Sequence, residues 1–82
     1  MFNIEWKENS LRNLHKLDIT VARKIIKTVE EMQVDPFVKD IKKLKGSSEC
    51  RLRVGDYRII FSIEKELITI LKVGHRQHIY ER

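Results

Sequence analysis

The feature that most constrains the fold lies in residues 50–61, where two alternating segments are joined by Gly55-Asp56. Glycine at the first position of a two-residue loop suits a type II′ hairpin turn, because glycine adopts a positive φ without steric cost. A loop of this length fixes which residues of the two strands lie opposite each other, and it places Arg53 opposite Arg58. The sequence therefore predicts a tight β-hairpin over residues 50–61.

This hairpin has two chemically different faces, because opposed residues share a face of a sheet. One face is apolar and is expected to join the core: Cys50, Leu52, Val54, Tyr57, Ile59 and Phe61. The other face gathers Arg51, Arg53 and Arg58. Like charges directly opposite each other cost about 0.2 kcal/mol or more, but an anion bound between them would reverse the sign. The planar fork of arginine matches phosphate oxygens, so this face is a candidate phosphate site. The alternative is a solvated face whose arginines pair with acids such as Glu5, Glu64 or Glu66.

The N-terminal residues predict one strand and a first helix. Phe2, Ile4 and Trp6 alternate with polar residues, which indicates a short half-buried strand. Asn9 or Ser10 is expected to cap the helix, since a short polar side chain can accept a hydrogen bond from a free amide of the first turn. The apolar residues of this helix follow at helical spacing: Leu11, Leu14 and Leu17.

A second helix is predicted to begin after Asp18 and to end at Asp35-Pro36. The Asp18 carboxylate can cap the first turn, and proline disfavours the helical conformation of the residue before it. The apolar stripe of this helix recurs mostly at steps of three and four, as on one face of an amphipathic helix. Its members are Ile19, Ala22, Ile25, Ile26, Val29 and Met32.

The remaining residues predict a connecting segment and three strands. Residues 37–48 are interpreted as the connection, with a loop at Gly46-Ser47-Ser48. Strands are expected at about 49–54, 57–63 and 67–73, and the near-continuous apolar run of the last one indicates burial on both faces. The order strand, helix, helix and strand meander predicts a single α+β domain over residues 1–82, with both helices on one face of an antiparallel sheet.

The positive charge is concentrated in the C-terminal half. Residues 1–41 hold seven Lys/Arg and seven Asp/Glu, whereas residues 42–82 hold ten and five, so the net charge of +5 arises entirely there. A one-sided excess favours a polyanionic partner, most often nucleic acid. Lys42, Lys43 and Lys45, which precede the hairpin, are expected to remain in solvent and to contact RNA.

Other features limit the classes of protein. Cys50 is the single cysteine, which excludes an internal disulfide and a cysteine-rich zinc site and favours a reducing, cytoplasmic compartment. No apolar run approaches the roughly 20 residues of a membrane span. The N-terminus lacks the basic and apolar regions of a secretory signal.

A short cluster of polar side chains follows the last predicted strand. His75, Arg76, His78 and Tyr80 lie within six residues and are suited to proton transfer or phosphate binding. They would lie beside the arginine face if this segment folds back; otherwise it is a frayed basic terminus. No metal is expected, because two histidines without a carboxylate or cysteine in the motif make an incomplete site.

The chain resembles the RelE branch of the RelE/ParE toxin superfamily. The likeness rests on three runs together with Tyr80: Lys42-Lys43-Leu44-Lys45-Gly46, Arg51 to Phe61, and Val73-Gly74-His75-Arg76. The resemblance implies a RelE-like α+β fold and a toxin of a type II toxin–antitoxin pair. It also implies ribosome-dependent cleavage of mRNA without a metal or other cofactor. The implied partners are the ribosome and a RelB-like antitoxin that wraps and silences the toxin in a higher-order complex.

The same resemblance suggests roles for individual residues. Arg58 and Arg76 match the family's phosphate-binding and transition-state arginines, and Tyr80 matches its C-terminal tyrosine. Arg51 and Arg53 stand where the best-known member has functional lysines. Arginine stays charged and cannot serve as a general base. His75 or His78 could exchange a proton near neutral pH, since an unperturbed histidine titrates near ~6.5, and the choice of base stays open.

Two other functions remain compatible with the sequence. One is a ParE-like inhibitor of DNA gyrase, which has the same fold and binds a protein instead of cleaving RNA. The other is a nucleic-acid-binding accessory domain without catalysis. The cluster of His75, Arg76 and Tyr80 favours the RelE-type function.

Overall fold

Five strands form one sheet in the order β1-β5-β4-β3-β2, within the parts of the chain that the structure describes. This computed structural model describes residues 1–35, 41–43 and 49–79, with the backbone alone for 41–43. The elements are β1 (Asn3–Trp6), α1 (Glu8–His15), α2 (Ile19–Glu31), β2 (Ile41–Lys43), β3 (Glu49–Val54), β4 (Tyr57–Glu64) and β5 (Leu67–His75). The predicted α+β architecture is confirmed.

The strand meander has the predicted hairpin register. β3 and β4 are antiparallel, and Arg53 lies opposite Arg58 across the Gly55-Asp56 loop. Gly55 has a φ of 59°, as a type II′ turn requires at its first position. β4 and β5 are also antiparallel.

The two edges of the sheet differ from the prediction. β1 runs parallel to β5, from Asn3↔Leu67 to Trp6↔Ile70, so the sheet is mixed and not antiparallel throughout. At the opposite edge, β2 pairs antiparallel with β3, which makes the interpretation of these three residues as a plain connection wrong. Three residues are too few to show an alternation of polar and apolar side chains. The predicted loop at Gly46-Ser47-Ser48 lies outside the described residues.

The two helices begin in different ways. The N-cap of α1 lies two residues before the first of the predicted caps: it is Lys7, which makes no side-chain capping hydrogen bond. Ser10 instead lies inside the first turn, fully buried, and its hydroxyl donates to the Lys7 carbonyl at 2.6 Å. Asp18 does cap α2, since its carboxylate accepts a hydrogen bond from the Thr20 amide at 3.1 Å.

The end of α2 was placed too late by the sequence. The helix ends at Glu31, where Met32 is the C-cap, and turn residues 32–34 separate it from Asp35. Asp35-Pro36 marks a position where a helix cannot continue, but α2 ends about one turn before it.

The core lies between α2 and the apolar face of the meander. Its fully enclosed side chains come from both layers: Ile25, Val29, Met32, Leu52, Ile59, Phe61, Ile68 and Ile70. Ile19 and Ile26, at the margin of the α2 stripe, are 61% and 37% exposed. Burial of β5 on both faces is wrong, because the helices cover one face only; Leu67, for example, is 39% exposed.

A β-bulge in the β4–β5 pair decides which residues of β5 face away from the helices. Phe61 lies opposite Ile70, but the preceding Ile60 lies opposite Lys72, so Leu71 is the extra residue. The bulge shifts the rest of β5 by one position relative to β4. As a result Val73 faces the core opposite Ile59, and Gly74 lies opposite Arg58.

Candidate functional site

Two opposed arginines lie at the hairpin end of the face that the helices leave uncovered. Arg53 is exposed on β3, and Arg58 is half-buried on β4. The Arg58 guanidinium is held by backbone oxygens: Nη1 donates to the carbonyls of Gly55 at 3.1 Å and Tyr57 at 3.0 Å. The hairpin loop thus fixes a cation beside a second cation on a partly solvated surface.

The adjacent row of the sheet carries two more cations. Arg51 lies opposite Ile60, and Ile60 lies opposite Lys72. On the other side of Arg51, the backbone register places Lys42. Lys43 falls in a different row, opposite Cys50, and Lys45 lies outside the described residues.

The segment after β5 folds back onto the sheet as far as the structure describes it. The amides of His78 and Ile79 both donate to the His75 carbonyl at 2.9 Å, which closes a tight turn. Ile79 is 2% exposed, and its side chain lies over Gly74, where an added Cβ would be 3.0 Å from Ile79 Cδ1. Residues 75–79 are therefore an ordered part of the fold and not a frayed terminus. Tyr80 lies outside the described residues.

This turn brings Arg76 to the same hairpin loop that holds Arg58. The Arg76 amide donates to the Asp56 carbonyl at 2.8 Å, which extends the β4–β5 pairing one step beyond Tyr57↔His75. Arg76 Nε also lies 3.9 Å from Asp56 Oδ1. Arg58 and Arg76 are thus arranged around one loop, although 18 positions separate them in the sequence.

The two histidines lie beside these arginines but have different surroundings. The His75 ring meets the Tyr57 ring edge-on, with centroids 5.5 Å apart. His75 Nδ1 accepts a hydrogen bond from the Gln77 amide at 3.2 Å, so the neutral ring carries its hydrogen on Nε2. His78 is exposed, and its ring centroid is 6.1 Å from that of His75.

The sequence matches one known toxin family over almost its whole length. The family described as the ParE toxin of the type II toxin–antitoxin system parDE matches residues 4–80. A protein assigned as toxin RelE1 of Methanocaldococcus jannaschii is 31% identical over 86 residues, which cover 98% of this chain and 96% of that protein. The chain is a RelE-type member of the RelE/ParE toxin superfamily.

Solved structures of RelE proteins share the fold of this RelE-type toxin. In the RelB–RelE antitoxin–toxin complex from Methanococcus jannaschii, the matching chain is 28% identical with a TM-score of 0.80, covering 94% of this chain and 95% of that one. In the archaeal RelE–RelB complex from Pyrococcus horikoshii, the identity is 25%, the TM-score 0.82, and the coverage 94% and 97%.

Three residues of this RelE-type toxin that lie near predicted site residues were not singled out by the sequence. Lys72 lies on the arginine face only because of the β-bulge. The sign of this bulge in the sequence is that the apolar residues Ile68, Ile70 and Val73 are spaced by two and then by three positions. Asp56 was interpreted as a loop residue, yet it is the acid paired with Arg76. Ile79 is the apolar residue that anchors the polar cluster around it.

The described residues contain neither a cluster of metal ligands nor a membrane-spanning helix. No group of three or more His, Cys, Asp or Glu side chains in them is arranged to hold a metal ion. No helix among them is both long and apolar enough to cross a membrane.

Proposed function

We propose that this RelE-type toxin is an endoribonuclease that cleaves mRNA on the ribosome. The ribose 2′-hydroxyl attacks the adjacent phosphorus and expels the 5′-oxygen, which leaves a 2′,3′-cyclic phosphate and a 5′-hydroxyl. Later hydrolysis by water can open the cyclic phosphate to a 3′-phosphate. The observation that supports this proposal is the arrangement of Arg58 and Arg76 around the single loop Gly55-Asp56. Opposed cations on a sheet do not help folding, so a bound polyanion is the best explanation for them.

The arginines stabilise charge in this mechanism. The phosphorane formed by in-line attack carries more negative charge than the ground-state phosphodiester, and preorganised cations lower its free energy. Arg58 is preorganised by two backbone carbonyls, and Arg76 is held beside the same loop through its backbone amide. Arg53 and Arg51 extend the positive surface along the RNA backbone. Lys42, which lies opposite Arg51, and Lys45 are proposed to extend it further, whereas the register of Lys43 opposite Cys50 places it in a row of the core face.

The proton transfers are assigned from the hydrogen bonds of the histidines. With Nδ1 held by the Gln77 amide, His75 presents an N–H at Nε2 and can donate to a phosphate oxygen. If His75 acted as the base through Nε2, its hydrogen would have to move to Nδ1 and displace the Gln77 amide. We therefore assign the removal of the 2′-hydroxyl proton to His78 or Tyr80, with the other group protonating the 5′-oxygen.

The proposed partner in the cell is a RelB-like antitoxin, since the relatives of known structure are RelB–RelE complexes. Leu11, Ile19 and Ile26 are exposed by 43%, 61% and 37% and lie along a groove between α1 and α2. An antitoxin helix would cover such apolar side chains, and its acidic residues would meet the basic C-terminal half. We expect a Kd of about 1 nM or lower, a higher-order complex, and a cytoplasmic location where ribosomes are found.

Single-turnover cleavage of mRNA on programmed ribosomes tests the proposed reaction. Arg58→Ala and Arg76→Ala are each expected to lower the rate by about 100-fold, because each removes a preorganised cation. Arg23→Ala, an exposed arginine on α2, is the matched control and should cleave normally. Tyr80→Phe should reduce the rate strongly if the hydroxyl transfers a proton, and mildly if the ring only stacks on a base.

Two outcomes would replace the proposal by the other functions. Intact mRNA together with inhibition of gyrase supercoiling would identify a ParE-like inhibitor. Tight, arginine-dependent binding of RNA without any cleavage would identify an accessory binding domain.

A further inference from the structure

The loop that joins β3 and β4 contacts both candidate phosphate-binding arginines through its own polar atoms. The carbonyls of Gly55 and Tyr57 accept from the Arg58 guanidinium. Between them, the Asp56 carbonyl accepts from the Arg76 amide at 2.8 Å. The Asp56 carboxylate adds the single negative charge of this loop, and it lies 3.9 Å from Arg76 Nε.

This ion pair is poorly suited to stabilising the fold. The two side chains are 56% and 69% exposed, and the 3.9 Å separation is too long for a hydrogen bond. Exposed pairs of this kind contribute little to stability, since water screens the charges. Its consequence is orientational: the carboxylate attracts the Arg76 guanidinium from its Nε side.

The positive charges around this ion pair explain why the orientation of Arg76 matters. Arg58 and Arg76 flank the same loop, Arg53 lies opposite Arg58, and three cations repel one another when no anion is bound. A carboxylate on the loop offsets this repulsion and draws Arg76 toward the hairpin. Its negative charge also opposes a phosphate, so it should weaken RNA binding slightly while it improves the geometry of the bound state.

We infer that Asp56 is a positioning residue, which orients the Arg76 guanidinium toward the scissile phosphate. This inference rests on the proposed ribonuclease function. Asp56 then has two roles. Its backbone carbonyl holds the backbone of Arg76 in place, and its carboxylate influences the direction of the Arg76 side chain.

Asp56→Asn tests the role of the carboxylate, because it keeps the backbone hydrogen bond and the side-chain size. The single-turnover cleavage rate on programmed ribosomes is expected to fall about threefold, since the loss of a weak, exposed ion pair misorients the cation for only part of the time. The ribosome concentration that gives half the maximal rate should stay equal or fall, because one negative charge is lost near a polyanion. Asp56→Glu, which restores the charge, should recover part of the rate.

The chain provides a matched control in its other hairpin. Lys65-Glu66 joins β4 to β5 as Gly55-Asp56 joins β3 to β4, and Glu66 is the acid at the second loop position. Glu66→Gln makes the same change of charge and should leave the cleavage rate unaltered. The melting temperature of both variants should stay within about 5 °C of the parent, because only exposed charges change.

A double-mutant cycle and an NMR measurement complete the test. In the Arg76→Ala background, Asp56→Asn should have almost no further effect on the rate, because the group that it orients is absent. Independently of catalysis, the Nε–Hε signal of Arg76 should shift in Asp56→Asn and not in Glu66→Gln.

Asp56→Asn cleaving at the parental rate, or an additive effect of the two substitutions, would overturn the inference. If the parent toxin does not cleave mRNA at all, the proposed function fails; an unmoved Arg76 signal would then also overturn the positioning role, whereas a shifted one would support it.

Discussion

The side-chain oxygen of Asn13, in α1, accepts a hydrogen bond from the backbone amide of Val73, in β5, at 3.0 Å. β1 accompanies β5 only as far as Trp6↔Ile70, so the outer edge of β5 loses its neighbouring strand before Val73. Asn13 supplies the acceptor that a longer β1 would have supplied. It also ties α1 to the part of β5 that leads into Gly74 and His75.

Asn13→Ala is expected to lower the free energy of unfolding by about 1–3 kcal/mol, because the partly buried Val73 amide loses its acceptor. Urea denaturation measures this change. Asn9→Ala is the matched control on the same helix, at an exposed position, and should be neutral or slightly stabilising because alanine favours helices. Equal losses in the two variants would show that the contact with Val73 contributes nothing.

Gly74→Ala should displace the turn that carries Arg76. The new Cβ would lie 3.0 Å from Ile79 Cδ1, and such overpacking costs about 1–3 kcal/mol. Ile79→Val deletes that Cδ1 atom, so adding it to Gly74→Ala should restore part of the stability and of the activity. Thermal melts and cleavage rates of the single and double variants measure the coupling.

Gly55→Ala is the control for this pair. No atom lies within 4 Å of a Cβ at position 55, but the φ of +59° strains any L side chain. The variant should therefore be destabilised through its backbone, and Ile79→Val should not rescue it. Rescue of both glycine variants by Ile79→Val would contradict the steric explanation for Gly74.

Lys65→Gly should stabilise the fold. Lys65 is the one non-glycine residue with a positive φ, 55°, among the described residues, and it occupies the loop position that Gly55 occupies in the other hairpin. Relief of this strain is partly offset by the greater freedom of glycine in the unfolded chain, so we expect a gain of about 0.5–1 kcal/mol. Glu66→Gly, at the next position where φ is not positive, should give no gain in the same denaturation experiment.

Lys72→Gln should weaken the association with ribosomes and lower the slope of log K against log salt concentration by about 1, because one phosphate contact is lost. The residue shares a row of the sheet with Arg51 through Ile60. Lys27→Gln, an exposed lysine on α2, is the control and should leave the slope unchanged. An identical slope for both variants would place Lys72 outside the RNA-binding surface.

The sequence determined the features that depend on neighbouring residues. The two-residue loop Gly55-Asp56 was sufficient to predict that Arg53 opposes Arg58, because a short loop leaves one register. The cap at Asp18 and the stripe of α2 followed in the same way from local hydrogen bonding and helical periodicity. The resemblance to RelE toxins likewise rested on short runs of neighbouring residues.

Only the tertiary structure decided the features that depend on contacts between distant segments. The bulge at Ile60/Phe61 brings Lys72 and Gly74 to the arginine face, and an alternation rule applied without the bulge would place Lys72 in the core. β1 is parallel to β5, and no local pattern in Asn3–Trp6 specifies that direction. The pairing of Asp56 with Arg76 likewise joins the β3–β4 loop to the segment after β5. Such contacts form only when the whole domain is packed, since their free energy comes from burial and geometry shared by residues far apart in the sequence.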